Sequence, residues 1–115
     1  MVDIEDVRRV TADLPRAYGA IVRDRVKFRV GRIVFAALSR DETIIGFGFP
    51  REERAALVES DPVRYLLPPA SDMRYQWVCA RMAELDLELL RDHLLEAWSM
   101  CVPKKVSSEY LAGLP

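Results

Sequence analysis

The sequence predicts an α+β domain, a two-layer sandwich in which an antiparallel sheet carries helices packed on one face. Three observations predict it. Apolar residues recur at helical spacing near both ends and again after residue 50, and between these segments run alternating or apolar stretches joined by short polar turns. The chain has 115 residues, half of them hydrophobic, which is enough for one core. Charged residues make up 30%, which suits a solvated surface around that core.

The first helix is expected at about residues 3–13. Asp3 caps it, and Ile4, Val7, Val10 or Thr11, and Leu14 follow at helical spacing. Pro15 ends it, because the residue before a proline avoids helical geometry. Residues 18–30 read as extended chain, with Val26, Phe28 and Val30 alternating with Lys27 and Arg29 as in a half-buried strand. Gly31-Arg32 is a tight turn, and Ile33 to Leu38 is apolar on both faces, as a central strand would be. Arg40-Asp41-Glu42 turns the chain into a strand over 43–49. There Ile45, Phe47 and Phe49 share one face, while Gly46 and Gly48 leave room for a close neighbour on the other.

Pro50 opens the second helix, with Glu52 and Glu53 in its first turn and Ala55, Ala56, Leu57 and Val58 as its buried stripe. It ends near Ser60, ahead of Asp61-Pro62. Arg64 to Leu67 reads as a short edge strand, 68–72 as a loop, and 74–81 as a strand with Tyr75, Trp77 and Cys79 on one face and Trp77 in the core. Asp86 caps the longest helix, about 87–101, whose apolar face is Leu87, Leu90, Leu94, Ala97, Trp98 and Cys101. Pro103 closes it, which leaves Lys104 and Lys105 just past its negative end. Residues 108–111 form a short turn or fray. No repeat or linker divides the chain, so the expectation is one domain over 1–106 and a tail or short helix over 107–115.

Seventeen basic residues nearly cancel eighteen acidic ones, and a net charge of -1 gives no global attraction to nucleic acid or anionic membranes. Any such partner must be held by a local patch. Cys79 and Cys101 are isolated in apolar surroundings and read as reduced core residues, with no CxxC pair for a metal. The acidic N-terminus does not resemble a signal peptide, and the longest apolar runs fall far short of a membrane span. These features point to a cytoplasmic protein.

The most suggestive feature is Arg23, Arg25, Lys27 and Arg29 at every second position. If 22–30 is one strand, all four point to one face, and Arg32 extends the stripe. Such a ribbon can track phosphates. A charged face also guards an edge strand against pairing with other chains, and a turn at Asp24-Arg25 would leave only Lys27 and Arg29 aligned. A second basic set, Arg64, Arg74, Arg81, Lys104 and Lys105, is scattered. Arg74 lies beside Tyr75 and Trp77, and cations with nearby aromatics can stack on bases. His93 is the only histidine, with no companion to complete a metal site and no nucleophile elbow near it. Gly46-Phe47-Gly48 lacks the third glycine of a phosphate loop. Asp3, Glu5 and Asp6 fit a capped helix better than a metal ridge.

Three ordered segments carry a resemblance. They are Phe28-Arg29-Val30-Gly31-Arg32-Ile33-Val34-Phe35-Ala36-Ala37-Leu38; Pro50-Arg51-Glu52-Glu53-Arg54-Ala55-Ala56-Leu57 followed by Asp61-Pro62; and Trp77-Val78, then Ala97-Trp98, then Val102-Pro103-Lys104-Lys105. With Leu14-Pro15, their order and spacing over about residues 1–106 resemble the MmcQ/YjbR family. The resemblance implies a compact fold similar to secretion chaperones and frataxin-like domains. It also implies DNA binding by a double-wing arrangement, and it brings no catalytic residues. Two positions depart from the family pattern: Asp24-Arg25-Val26-Lys27 lacks the histidine often found ahead of the Phe-Arg-Val strand, and Ile33 stands where a lysine is frequent.

Two functions follow as expectations, neither enzymatic and neither needing a cofactor or metal. The first is binding of double-stranded DNA, with Arg23, Arg25, Lys27, Arg29 and Arg32 on phosphates and Arg74, Lys104 and Lys105 as helpers. The second is a chaperone-like module for a protein partner, monomeric or weakly dimeric, with Leu66, Leu67, Pro68 and Pro69 as its apolar patch. A continuous basic band favours the first. A stripe broken by Asp24, Asp41 and Glu42 favours the second.

Overall fold

The computed structural model describes all 115 residues. In chain order the elements are α1 (Ile4–Ala12), β1 (Ala17–Val22), β2 (Arg25–Val30), β3 (Ile33–Leu38), β4 (Ile44–Gly48), α2 (Arg51–Ser60), β5 (Tyr65–Leu66), β6 (Trp77–Arg81), α3 (Leu87–Ser99) and α4 (Lys104–Ala112). The six strands form one antiparallel sheet in the order β1-β2-β3-β4-β6-β5. The helices pack on one face, and the other face is bare of helices. No helix is long and apolar enough to cross a membrane.

Helix α1 begins with a reciprocal cap: the Asp3 carboxylate accepts from the Asp6 N–H, and the Asp6 carboxylate accepts from the Asp3 N–H. Its Val7 and Val10 enter the core. Asp86 caps α3 by accepting from the Leu89 N–H at 2.8 Å. From α3, Leu90, Leu94, Ala97 and Trp98 meet Phe28, Phe35, Leu38, Ile45, Phe47 and Val78 of the sheet. The α3 backbone approaches β4 closely at Gly48, where a side chain would stand 3.6 Å from the Cα of Ala97. Trp98 is fully buried, and its indole N–H donates to the Pro15 carbonyl at 2.8 Å. That bond ties the longest helix to the turn after α1, and Tyr110 of α4 packs edge-on against the same ring.

Three expectations are corrected, and the apolar run of β3, a central strand as expected, gains an explanation. Residues 22–30 are not one strand: Arg23 and Asp24 form a two-residue hairpin turn, both with positive φ (51° and 65°), the geometry that joins twisted strands tightly. Neither residue is a glycine or asparagine, so the turn lacks its usual mark. The apolar run of β3 is explained by an irregularity. Phe28 pairs with Ala36 but Arg29 pairs with Val34, so Phe35 is passed over, and the sequence neighbours Phe35 and Ala36 both enter the core. In α2, Ala55 and Ala56 are exposed, Leu57 and Val58 are half-buried, and the buried residue is Arg54. Lys104 and Lys105 do not trail α3. They open α4, whose N-terminal end repels positive charge.

Arg54 has no acidic partner. Its guanidinium donates to three backbone carbonyls, Met73 at 2.7 Å, Trp77 at 2.9 Å and Tyr75 at 3.1 Å. The planar fork of arginine serves acceptors at alternate residues of one segment, which a lysine ammonium cannot match. This clamps the stretch leading into β6 onto α2.

His93 sits between Phe47, stacked at 4.7 Å, and Tyr65, whose hydroxyl lies 2.6 Å from Nε2. Burial pushes the imidazole below its ordinary value; Asp92 opposes this and Arg64 adds to it. The unfolded chain therefore binds more protons than the folded one below its own pKa of about 6.5, so stability is full above that pH and is lost as pH falls through the folded value.

Two outcomes are expected. Arg54→Ala lowers stability by about 3 kcal/mol in urea unfolding, because three backbone carbonyls lose a charged donor, and Arg54→Lys recovers only part. In the wild type the urea midpoint falls between pH 7.5 and pH 5, and His93→Gln flattens that fall.

Candidate nucleic-acid interface

The bare face of the sheet is built from alternate residues of each strand. Along β2, Val26, Phe28 and Val30 turn toward the helices while Arg25, Lys27 and Arg29 turn to the open side. One row of paired positions crosses the whole sheet: Ala20, Lys27, Ala37, Gly46, Cys79 and Leu66. Between Lys27 and Leu66 this row holds only Ala37, Gly46 and Cys79. At about 4.8 Å per strand, small side chains therefore floor a trough roughly 14 Å wide from β2 to β6.

Trp77 lies in this trough and not in the core, so the expected core placement is corrected. Its strand face is the one shared with Cys79, as read from the sequence, but that face is the open one. The indole rests on Gly46, where an added Cβ would stand only 2.5 Å from Nε1 and 2.8 Å from Cε2. No larger residue fits under the ring. Two adjoining depressions share Arg25, Ala37, Asp72 and Trp77, with cavity volumes of about 390 and 480 Å³. One is walled by Leu66, Leu67, Pro68 and Pro69, the residues expected to form an apolar patch. Pro68 is buried, and Leu67 is 51% exposed. The other is closed by Lys27, Tyr75 and Gln76.

The basic residues divide into groups. Arg25, Lys27 and Arg29 share the open face of β2, and Arg32 stands exposed in the turn after it. Arg23 is at the opposite tip of the β1–β2 hairpin, beside Asp24. Arg25 also donates through Nε to the Leu38 carbonyl at 3.1 Å. The Nε of Arg29 is buried with no acceptor. The four ion pairs of the protein involve Arg8, Arg9, Arg51 and Arg64, so none of the five hairpin cations is neutralised by one. Arg74 lies in the turn before β6, not in a strand, with its guanidinium 4.9 Å over the Tyr75 ring and donating to the Tyr75 hydroxyl. Through that contact it adjoins the trough, which Tyr75 lines. Lys104 and Lys105 belong to the helix layer and are not brought together with the others.

The acids near the stripe sit in turns. Asp41 accepts from the Ser39 and Thr43 hydroxyls and the Thr43 N–H, and those bonds hold its carboxyl below the usual range. Asp24 and Asp41 border the end of the sheet nearest Arg25, while Lys27, Arg29 and Arg32 run away from it. Burial pushes the Cys79 thiol up to about 11, with Asp72 adding and Arg25 opposing, so at neutral pH it is a thiol floor residue and not a thiolate. No group of three or more His, Cys, Asp or Glu side chains is placed to hold a metal ion.

Sequence reasoning found the β2 cations and missed Arg54 and the trough. Gly46 was the available signal: it marked a close approach, but not that the approaching group was Trp77.

Comparison with known proteins bears on the fold and the family. A family model described as YjbR matches residues 9–100. The structure is similar to the crystal structure of Deinococcus radiodurans protein DR2400, with family-model domain DUF419, at a TM-score of 0.78 and 20% identity, over 100% of this chain and 91% of that one. No curated protein matches the sequence.

Because Trp98 is fully buried, Trp77 is the indole that iodide reaches. Iodide is expected to quench part of the wild-type emission, and Trp77→Phe to abolish that quenchable part. Gly46→Ala lifts the ring off the sheet, which increases quenching and shifts emission to the red.

Proposed function

The chain belongs to the YjbR family, and from that premise we propose that it is a non-enzymatic DNA-binding protein whose β2 face contacts phosphates. The observation that carries this is the set of Arg25, Lys27 and Arg29 on one face of β2 with Arg32 in the turn that follows, four cations with no ion-pair partner. Guanidinium and ammonium groups without a carboxylate partner favour an oxyanion. Alternate residues of a strand lie about 6.6 Å apart, so cations on one strand face can meet more than one phosphate. Arg23 at the hairpin tip and Arg74 beside the trough extend the positive surface; Lys104 and Lys105 do not contribute. The near-zero net charge makes this a local field, effective over about 8 Å at physiological salt.

A second reading, a module for a protein partner, is favoured by β1. It is an edge strand whose six residues, Ala17 to Val22, carry no charge, and Ile21 on it is 74% exposed. Edge strands are ordinarily guarded by charge or proline, and an unguarded one can accept another strand.

Anisotropy of a fluorescent duplex separates the two. With four phosphate contacts, affinity falls on the order of 100-fold between 50 and 200 mM salt, a log–log slope of roughly -3.6. The triple variant Lys27→Glu, Arg29→Glu, Arg32→Glu, with an unchanged circular dichroism spectrum, loses binding at 50 mM salt. Absence of wild-type binding at 50 mM salt overturns the DNA reading in favour of a protein partner.

A further inference from the structure

We propose that the trough on the open sheet face is a stacking site for one unpaired nucleobase, with the attached phosphate held from the β2 side. The proposal shares its ligand class and the cations Arg25 and Lys27 with the DNA reading, but it adds Trp77, Tyr75 and Asp72, and the experiment below separates the two.

Three kinds of group converge there. Trp77 lines both depressions, and Tyr75, 51% exposed, lines one of them two residues away. Arg25 and Lys27 form the opposite wall. Asp72 stands between, in both depressions. A purely apolar ligand leaves the cations and the carboxylate without partners. A bare anion makes no use of the aromatic surface and meets Asp72. A base carrying exocyclic N–H groups and a phosphate uses all three: its ring stacks on the indole, its N–H donates to Asp72, and its phosphate reaches Lys27 or Arg25. The cavity volumes of about 390 and 480 Å³ lie in the range of small-ligand sites.

The site is built and not a by-product of exposure. Gly46 removes the side chain that would collide with the indole. Arg54 fixes the carbonyls of Met73, Tyr75 and Trp77, which sets the positions of both aromatic residues from behind. A Watson–Crick duplex presents no free base face to such a shelf, so the ligand is either a free nucleotide or a single strand.

The experiment titrates adenosine 5′-monophosphate, an eight-residue single-stranded oligodeoxyadenylate, and a duplex into the full chain while following Trp77 emission. Saturable quenching by the mononucleotide and the single strand, without comparable quenching by the duplex, supports the base site. Quenching by the mononucleotide alone supports it with a free nucleotide as the source, and quenching by the single strand alone supports it with a strand as the source. Trp77→Leu weakens binding of a labelled single strand about ten- to a hundredfold in anisotropy. Should that variant not fold, Lys27→Gln, which leaves the shelf intact, weakens the mononucleotide several-fold. No quenching by either single-stranded probe overturns the proposal, and so does unchanged affinity in a folded Trp77→Leu. Duplex binding without such quenching removes the base site and leaves the DNA reading. Mononucleotide quenching without duplex binding does the reverse.

Discussion

The fork of Arg54 joins the two sides of this protein. Its guanidinium is buried in the helix layer, yet the three carbonyls it serves belong to the segment that enters β6. A buried arginine without an acid is costly unless every N–H is aimed at an acceptor, and a turn followed by a strand supplies acceptors at alternate residues. The contact seats α2 against the sheet and orders 73–77. From that order follow the start of β6, its pairing with β4 and β5, and the direction of Tyr75 and Trp77.

The rest of the architecture follows from a sheet covered on one side. The helix-facing residues are large: Phe28, Phe35, Leu38, Ile45, Phe47 and Val78 fill the space under α1 and α3. The residues on the other face are small in the middle and charged or aromatic at the sides. Ala37, Gly46 and Cys79 keep the floor low, so the side chains around it stand above it. An open antiparallel sheet with one wet face is ordinary. The trough arises because the centre of this face carries only small side chains, on which the Trp77 indole lies, where long polar side chains would commonly stand.

Electrostatics divides the same face. The acids nearest β2 are gathered in turns, and Asp41 is occupied by two hydroxyls and a backbone N–H. The β2 cations have no ion-pair partner, and of the three only Arg25 makes a hydrogen bond, to the Leu38 carbonyl. A chain with almost no net charge thus holds a short strip of uncompensated positive charge beside an aromatic shelf, which suits a ligand that is both anionic and planar.

Much of the fold was legible in the sequence. Helical periodicity with Asp3 and Asp86 as caps, the alternation in β2 and the glycines of β4 placed the main elements within a few residues, because each signal is local. The order of elements along the chain implied the two layers. Three things were not legible. The hairpin turn at Arg23-Asp24, one residue from the alternative turn at Asp24-Arg25, adopts positive φ with an aspartate but no glycine to announce it. Arg54 looks like any polar helix residue until a segment 19 to 23 positions away supplies its acceptors. And alternation shows which residues share a face of a strand but not which face is buried: Trp77 and Cys79 travel together, and only the side on which α3 packs sends them outward. Local stereochemistry is written in neighbouring residues, so the sequence by itself determined most of the elements, their order and the cations of β2. The trough, the shelf and the clamp depend on contacts between distant residues, and these the tertiary structure alone decided.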